Sequence, residues 1–175
     1  MILIPVDSST EHYHTCKAWL EEKGTTKWLS SIFRYAKYPK LIHEMLITNK
    51  KNKLFFISVD NRLVGLVGFS NIDLIDRRAE IWYLVGSQLD RGKNIAPQAV
   101  DMAKNIAVKD LHLLTLYANV PEPNAASIKV LNKNGFNYVG KYRNAFFVDG
   151  VYRDFLIFDW VNPNIELEPS KNCLK

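Results

Sequence analysis

The amino-acid sequence predicts a single domain of mixed α/β architecture. The chain has 175 residues, of which 47% are apolar. This length allows one sizeable core and is too short for two typical domains. Runs rich in β-forming residues fill the middle and the end of the chain, and a helical pattern between two of them is typical of a β-α-β crossover. The predicted domain covers residues 1–162, and the polar residues 163–175 are expected to form a flexible tail.

The first third of the chain is predicted to be largely helical. A short strand over residues 2–6 is followed by a helix to about Glu22, which Gly24 is expected to end. A second helical region covers residues 26–49. It is expected to break near Pro39, because the residue before a proline is pushed away from helical backbone angles.

The remaining residues alternate between strands and two helices. Asp60-Asn61 and Asp149-Gly150 each separate two β-rich runs by two residues, the spacing and chemistry of tight hairpin turns. Gly135 suits the C-terminal cap of a helix because it readily adopts a positive φ. Strands are predicted over residues 54–59, 62–71, 79–85, 113–120, 138–148 and 151–161, and helices over residues 96–108 and 124–133.

The net charge of +5 is consistent with several kinds of anionic partner. It suits a nucleotide-containing ligand, and it suits nucleic acid or a membrane surface almost as well. The basic residues are scattered apart from Lys50, Lys51 and Lys53, and the sequence has no arginine-rich helix. Neither a nucleic-acid partner nor a membrane partner is therefore predicted.

Cysteine and histidine positions give no support for a metal site or a disulfide framework. Cys16 and Cys173 lie near opposite ends of the chain. His12 and His14 are two residues apart and so do not share a helix face, and the other two histidines are isolated. Without a basic leader or a long apolar run, a soluble cytoplasmic protein is expected.

A compact turn, Arg91-Gly92-Lys93-Asn94-Ile95-Ala96, links a predicted strand to a predicted helix. A helix N-terminus presents unpaired amide hydrogens and about half a positive charge, so this 91–96 turn is suited to wrap a pyrophosphate. Gly92 and Ala96 allow close backbone approach, and Arg91 and Lys93 add positive charge at the rim. Taken alone, an ordinary strand-to-helix turn that needs small residues explains the pattern equally well.

A second motif and a terminal hairpin accompany this turn. Residues 124–136 begin with Asn124-x-x-Ser127 and end in Gly135-Phe136, and residues 147–154 read Phe-Val-Asp-Gly-Val-Tyr-Arg-Asp. In order and spacing, the turn, the second motif and the hairpin resemble the GNAT acetyltransferases, and within them the RimL/RimJ-like branch. The resemblance covers residues 54–161. It implies a mixed, mostly antiparallel twisted sheet of about seven strands, flanked by about four helices, with a V-shaped splay between strands 4 and 5.

The resemblance also implies acetyl-CoA as co-substrate and assigns residues to it. The 91–96 turn, including Ile95, would hold the phosphates. Amides near Leu84 and Val85 would hold the pantetheine and polarise the thioester carbonyl. Asn124 would cap the second helix and contact the cofactor.

Two positions depart from the family pattern. Asn94 stands where the family usually has the middle glycine of the turn, and asparagine is the non-glycine residue most tolerant of positive φ. Leu131 occupies the position of a tyrosine that many members use as general acid. By resemblance to the RimL-like branch, that role passes to Ser127, which protonates the departing thiolate or only hydrogen-bonds it. The alternative is a hydroxyl that only bonds the preceding turn of its own helix.

Glu80 is the candidate general base. An acceptor amine must be neutral to attack, so a base is needed, directly or through water. Glu80 is the single carboxylate on the otherwise apolar run 79–85, where desolvation suits it to take up a proton. The alternative is that it pairs with Arg77 or Arg78 at the start of the strand.

Trp82 and Tyr83 are expected to line the acceptor tunnel, although aromatic residues on a central strand commonly belong to the core.

The leading prediction is an acetyl-CoA-dependent N-acetyltransferase that acts as a monomer or homodimer on a primary amine. The amine belongs to a protein N-terminus, a nucleotide-linked amino sugar, or a polyamine or antibiotic, and the positive net charge favours the sugar over the polyamine. The alternative is a non-catalytic acyl-CoA-binding or sensor domain.

Overall fold

The structure, a computed structural model, describes residues 1–35 and 38–164. Their strands form one seven-stranded sheet in the order β1-β2-β3-β4-β5-β7-β6. The strands are β1 (Ile2–Pro5), β2 (Lys53–Val59), β3 (Arg62–Asp73), β4 (Arg78–Val85), β5 (Thr115–Pro121), β6 (Asn137–Val148) and β7 (Val151–Val161). The helices are α1 (Thr10–Leu20), α2 (Lys23–Thr26), α3 (Ser31–Tyr35), α4 (Lys40–Thr48), α5 (Ile95–Lys109) and α6 (Ala125–Lys133). None of these helices has both the length and the apolar composition needed to span a membrane.

Both predicted hairpin turns are confirmed. Asp60 and Asn61 join β2 to β3 with φ angles of 49° and 59°. Asp149 and Gly150 join β6 to β7 with φ angles of 52° and 77°. Asparagine, aspartate and glycine tolerate these left-handed angles, which give the turn the same twist as the strands it connects.

The sheet separates two apolar clusters. One lies beneath α5 and α6 and includes the fully buried Ala103 and Leu131. The other lies beneath α1 and α4 and includes the fully buried Cys16 and Phe56. Side chains alternate along a strand. The odd-numbered residues of β4 from 79 to 85 therefore face the first cluster, and Trp82 and Leu84 face the second.

The helical first third differs from its prediction in detail. Helix α1 ends at Leu20, and Gly24 lies inside the separate helix α2, so the prediction that Gly24 ends the first helix is wrong. The cause is local: Thr25 Oγ1 donates to the Glu22 carboxylate at 2.8 Å and Thr26 N donates to Glu22 O at 3.0 Å, which starts a new turn. The predicted break at Pro39 is confirmed, since Pro39 is the N-cap of α4.

The predicted tail lies almost wholly outside the described residues, which end at residue 164.

Candidate active site

The sheet splits at its centre, between β4 and β5. These strands pair in parallel only where residues 78–80 face residues 115–117. On its other side β4 is bound to β3, and Gly86 N donates to Val64 O at 2.9 Å. Hydrogen bonding alternates along an antiparallel pair, so the backbone N–H and C=O groups of Tyr83 and Val85 face the split. The predicted V-shaped splay is confirmed.

The two amides predicted to hold the pantetheine therefore differ. By the same alternation, the Leu84 amide points toward β3, and the Val85 amide is the one that faces the split. Leu84 still borders the site through its position on the wall of the cavity. Of these two amides, the Val85 amide is the one that a ligand in the split could approach.

One cavity of about 960 Å³ follows the split and extends to both faces of the sheet. It contacts every predicted site residue except Lys93, whose Nζ lies 3.4 Å from Asp90 instead. Its volume lies at the upper end of the range that is usual for ligand-binding cavities. The predicted residues that line it are Glu80, Trp82, Tyr83, Leu84, Val85, Arg91, Gly92, Asn94, Ile95, Ala96, Asn124 and Ser127.

The 91–96 turn delivers the first turn of α5 to the cavity. Asn94 has the left-handed conformation predicted for it, with φ 60°, and its side chain makes no capping hydrogen bond. Its Oδ1 accepts a hydrogen bond from Lys133 Nζ at 2.7 Å instead. The first amides of α5 are thus left without a side-chain cap beside the cavity, where an anion stabilises such groups. Arg91, Lys129 and Lys133 also line this end and give it a positive charge.

The turn is anchored by an ion pair that the sequence did not reveal. Asp90 is 2% exposed and accepts hydrogen bonds from both terminal nitrogens of Arg62, at 2.7 and 2.8 Å. The Arg62 hydrogen bonds lower the pKa of Asp90 to about 2. Arg91 Nη2 donates to Thr25 Oγ1 at 3.0 Å and so ties the turn to α2.

Helix α6 brings Ser127 to the same cavity. Asn124 caps α6, as predicted, with its Oδ1 accepting from Ser127 N at 3.2 Å. The Ser127 hydroxyl lies 2.8 Å from the Tyr83 hydroxyl. Burial raises the pKa of Tyr83, so this hydroxyl stays protonated. Tyr83 and Trp82, both predicted to line an acceptor tunnel, border the cavity on opposite faces of the sheet: Tyr83 contacts Ser127 on the α5–α6 face, and Trp82 belongs to the other face.

Glu80 is held by two asparagines from neighbouring strands. Its Oε1 accepts from Asn119 Nδ2 on β5 at 2.9 Å, and its Oε2 accepts from Asn71 Nδ2 on β3 at 3.1 Å. Arg77 and Arg78, the alternative partners, bind elsewhere, to the His112 carbonyl at 2.7 Å and to Asp76 at 3.4 Å. The carboxylate is thus fixed on the cavity wall by neutral donors.

The comparison with known proteins decides the family. Residues 1–137 match the family model described as an acetyltransferase (GNAT) domain. The chain belongs to the GNAT family. The central split, the open N-terminus of α5 and the cavity that joins them are therefore features of a GNAT domain.

The relatives of this GNAT domain include enzymes with different acceptors. It is 30% identical to the spermidine N(1)-acetyltransferase of Escherichia coli K12 over 117 residues, which are 67% of this chain and 60% of that relative. It is 22% identical to the ribosomal-protein-serine acetyltransferase of the same strain, over 81% of this chain and 79% of the relative. The chain thus spans about 60% of the length of the first of these curated relatives.

The fold of this GNAT domain also matches solved structures. The spermidine N-acetyltransferase from Vibrio cholerae in complex with CoA and spermine superposes with a TM-score of 0.81 at 19% identity, covering 91% of this chain and 94% of that one. At this level of identity the likeness establishes the fold of the GNAT domain.

The Asp90–Arg62 pair gives a prediction for the stability of the GNAT domain. The folded-state pKa of Asp90 lies below its ordinary value of 3.8, so the ionised carboxylate stabilises the fold above pH about 4. That contribution is lost as the pH falls from about 4 toward about 2. Asp90→Asn should therefore lower the free energy of unfolding at neutral pH and show a smaller further loss across the acidic range. Urea unfolding at several pH values measures both quantities.

The matched control for this prediction is Asp110→Asn, at the exposed C-terminal end of α5. It removes the same charge without touching the 91–96 turn. Equal effects of the two substitutions at neutral pH would show that the Asp90–Arg62 pair does not stabilise the turn.

Proposed function

We propose that the protein transfers the acetyl group of acetyl-CoA directly to a primary amine. The observation that carries the proposal is the single cavity that joins the uncapped N-terminus of α5 to the Glu80 carboxylate through the split between β4 and β5. An anionic cofactor suits the first end, and an amine suits the second. The residues present fit CoA, because Arg91, Lys129 and Lys133 surround the phosphate end.

In the proposed reaction the amine nitrogen attacks the thioester carbonyl carbon. A C–N bond forms, the C–S bond breaks, and the thiol of CoA leaves. Glu80 takes the proton that the amine loses. The Val85 amide, which faces the split, stabilises the negative charge that develops on the carbonyl oxygen. No covalent enzyme intermediate and no metal ion take part.

The leaving thiolate needs a proton. Ser127 is proposed to supply it, in the manner of the RimL-like branch, and to regain a proton from water after the thiol has left. The Tyr83 hydroxyl, 2.8 Å from the Ser127 hydroxyl, orients it. Leu131, which stands at the tyrosine position of the family pattern, is fully buried in the core. Tyr83 reaches Ser127 from the strand side of the split instead. We further propose that the protein acts in the cytoplasm as a monomer or homodimer, with no nucleic-acid or membrane partner.

Thiol release tests this function. The protein is incubated with acetyl-CoA and a panel of peptide N-termini, nucleotide-linked amino sugars and small amines, and acetylated products are identified by mass spectrometry. Binding of acetyl-CoA is measured separately by calorimetry. If acetyl-CoA binds but no amine promotes thiol release, the domain is a non-catalytic acyl-CoA sensor. If acetyl-CoA does not bind, the proposal fails entirely.

Substitution of the two hydroxyl residues tests the proposed proton path. Ser127→Ala should lower kcat by about ten- to a hundredfold and leave the KM for acetyl-CoA nearly unchanged, because the proton is needed only as the thiolate departs. Tyr83→Phe removes the hydrogen bonds of the Tyr83 hydroxyl to the hydroxyl and to the carbonyl oxygen of Ser127, and it should lower kcat by about fivefold. Steady-state kinetics with the best amine measures both effects.

The control for the proton path is Ser70→Ala, which changes another serine on the cavity wall. It should stay within about twofold of the wild-type rate, because Ser70 pairs with Glu80 across β3 and β4, on the opposite face of the sheet from Ser127, and transfers no proton in the proposed reaction. A loss of rate in Ser127→Ala no larger than that in Ser70→Ala would remove Ser127 from the mechanism.

A further inference from the structure

We infer that the acceptor is an amine with a single positive charge attached to an apolar or aromatic body, and not a polyamine. The inference rests on the proposed function, because it takes Glu80 as the group that receives the reacting amine. It follows from the charges and the apolar side chains of the acceptor half of the cavity, the half on the Trp82 face of β4.

The acceptor half offers one carboxylate to an ammonium group. Within residues 1–35 and 38–164, the acidic residues that line the cavity are Glu80 and Asp90. Asp90 is 2% exposed and accepts two hydrogen bonds from Arg62. Its carboxylate therefore anchors the 91–96 turn and is not free to pair with a ligand ammonium group. Every further ammonium of a polyamine would be desolvated in the cavity without a charged partner, which is costly.

Beyond Glu80 the wall is apolar. It is built from side chains of α4, of β4, of the residues that precede α3, and of Phe33 within α3. The rings of Phe33 and Trp82 have centroids 6.1 Å apart and form one continuous aromatic surface. The apolar residues of this wall are Trp28, Leu29, Phe33, Ile42, Leu46 and Trp82.

The outer side of the wall is held in place by the β6–β7 hairpin. Trp28 stacks on Phe146 with ring centroids 6.5 Å apart, and Phe146 stacks on Phe155, a cavity residue, at 5.3 Å. The hairpin carboxylate Asp149 lies 2.6 Å from Lys27 Nζ. Asp149 is exposed, is paired with Lys27 and is not one of the residues that line the cavity, so it does not add a second site for an ammonium group there.

These observations fit an acceptor whose amine reaches Glu80 while its apolar body lies on the Phe33–Trp82 surface. A ligand whose far end is apolar gains free energy when that end is buried on such a wall. A ligand with a charged group at the same end does not gain this free energy and must also lose the water around its charge. The 30% identity to a spermidine acetyltransferase does not fix the acceptor, because acceptor choice depends on these wall residues.

The test compares hexylamine with 1,5-diaminopentane, two acceptors with the same number of non-hydrogen atoms that differ in one terminal group. With acetyl-CoA, kcat/KM for hexylamine should exceed that for the diamine by about ten- to a hundredfold. Phenethylamine should resemble hexylamine, and spermidine should resemble the diamine. Equal or faster acetylation of the diamine or of spermidine would overturn the inference while leaving the acetyltransferase proposal intact.

Binding keeps the inference testable if catalysis fails. Calorimetric titration of the CoA-loaded protein with hexylamine and with 1,5-diaminopentane measures the same preference without any reaction. Tighter binding of hexylamine, by about tenfold or more, supports the inference. Tighter or equal binding of the diamine contradicts it, and an absence of thiol release in the kinetic assay concerns only the proposed function.

A matched pair of variants tests the wall itself. Leu46→Glu adds a carboxylate to the apolar wall, and Leu46→Gln adds a side chain of nearly the same size without the charge. Relative to Leu46→Gln, Leu46→Glu should raise the ratio of kcat/KM for 1,5-diaminopentane over hexylamine by about tenfold or more. An unchanged ratio in a folded Leu46→Glu protein would show that this wall does not contact the acceptor.

Discussion

The Glu80→Gln variant is expected to lose about a hundred- to ten-thousandfold in kcat/KM for the amine while binding acetyl-CoA as tightly as the wild type. Asn71 and Asn119 donate to the two oxygens of Glu80 at 3.1 and 2.9 Å. Glutamine has the shape of glutamate: its oxygen can accept from one asparagine, and its NH2 group can donate to the other once that asparagine turns its amide oxygen inward. The cavity wall therefore keeps its form. The variant lacks only the group that takes the proton from the amine.

The pH dependence distinguishes a base from a merely structural carboxylate. At high pH the amine is neutral in solution and hydroxide can take the proton that it loses, so the Glu80→Gln variant should recover part of its activity relative to the wild type. A structural defect would persist at every pH.

The matched control is Glu44→Gln, on the exposed face of α4, which removes the same charge on the acceptor side of the sheet. It should retain wild-type kcat/KM. If Glu80→Gln keeps more than about a third of the wild-type rate, the base lies elsewhere or the amine enters already neutral.

The parts of the fold that the sequence predicted correctly are those determined by short-range chemistry. The hairpin turn at Asp149-Gly150 and the break at Pro39 depend on backbone angles that few residues allow. The left-handed conformation of Asn94 belongs to the same class, because a turn that feeds a helix needs a residue tolerant of positive φ. Such constraints operate within a few residues and can be recognised in one sequence.

The features that sequence reasoning missed depend on contacts between distant residues. Asn119 reaches Glu80 across 39 positions of sequence, and Arg62 reaches Asp90 across 28. Both contacts depend on the order and register of the strands. The sequence around an asparagine on a strand does not indicate which distant residue its side chain will contact. The irregular register between Ser70 and Asp73 in β3 turns Asn71 toward Glu80, a bulge-like distortion that the sequence pattern does not predict.

The acceptor region was the least predictable part for a related reason. Residues 26–49 have apolar positions compatible with one long helix interrupted at Pro39, but the helices there are short, and α3 has five residues. Helices of this length are unstable alone and form only where tertiary contacts support them. Here the support comes from the hairpin, where Trp28 stacks on Phe146, and these contacts also shape the acceptor wall.

Ala96→Glu should weaken acetyl-CoA binding by about a hundredfold or more, because it places a carboxylate where the cofactor phosphates are proposed to lie. Ala96 is the second residue of α5 and lines the cavity. A carboxylate in the first turn of a helix stabilises that helix, so the fold should not be weakened. The new carboxylate repels the negatively charged phosphates. It also accepts hydrogen bonds from the backbone amides at the N-terminus of α5 that the phosphates would otherwise occupy.

The control for this substitution is Gln98→Glu, in the same first turn of α5, where the side chain is exposed and lies outside the cavity at the split. It adds the same charge to the same helix N-terminus and should weaken binding by about threefold at most, because solvent screens it. Calorimetry with acetyl-CoA compares the two variants. If both weaken binding equally, the effect comes from net charge alone, and the phosphates do not contact the 91–96 turn.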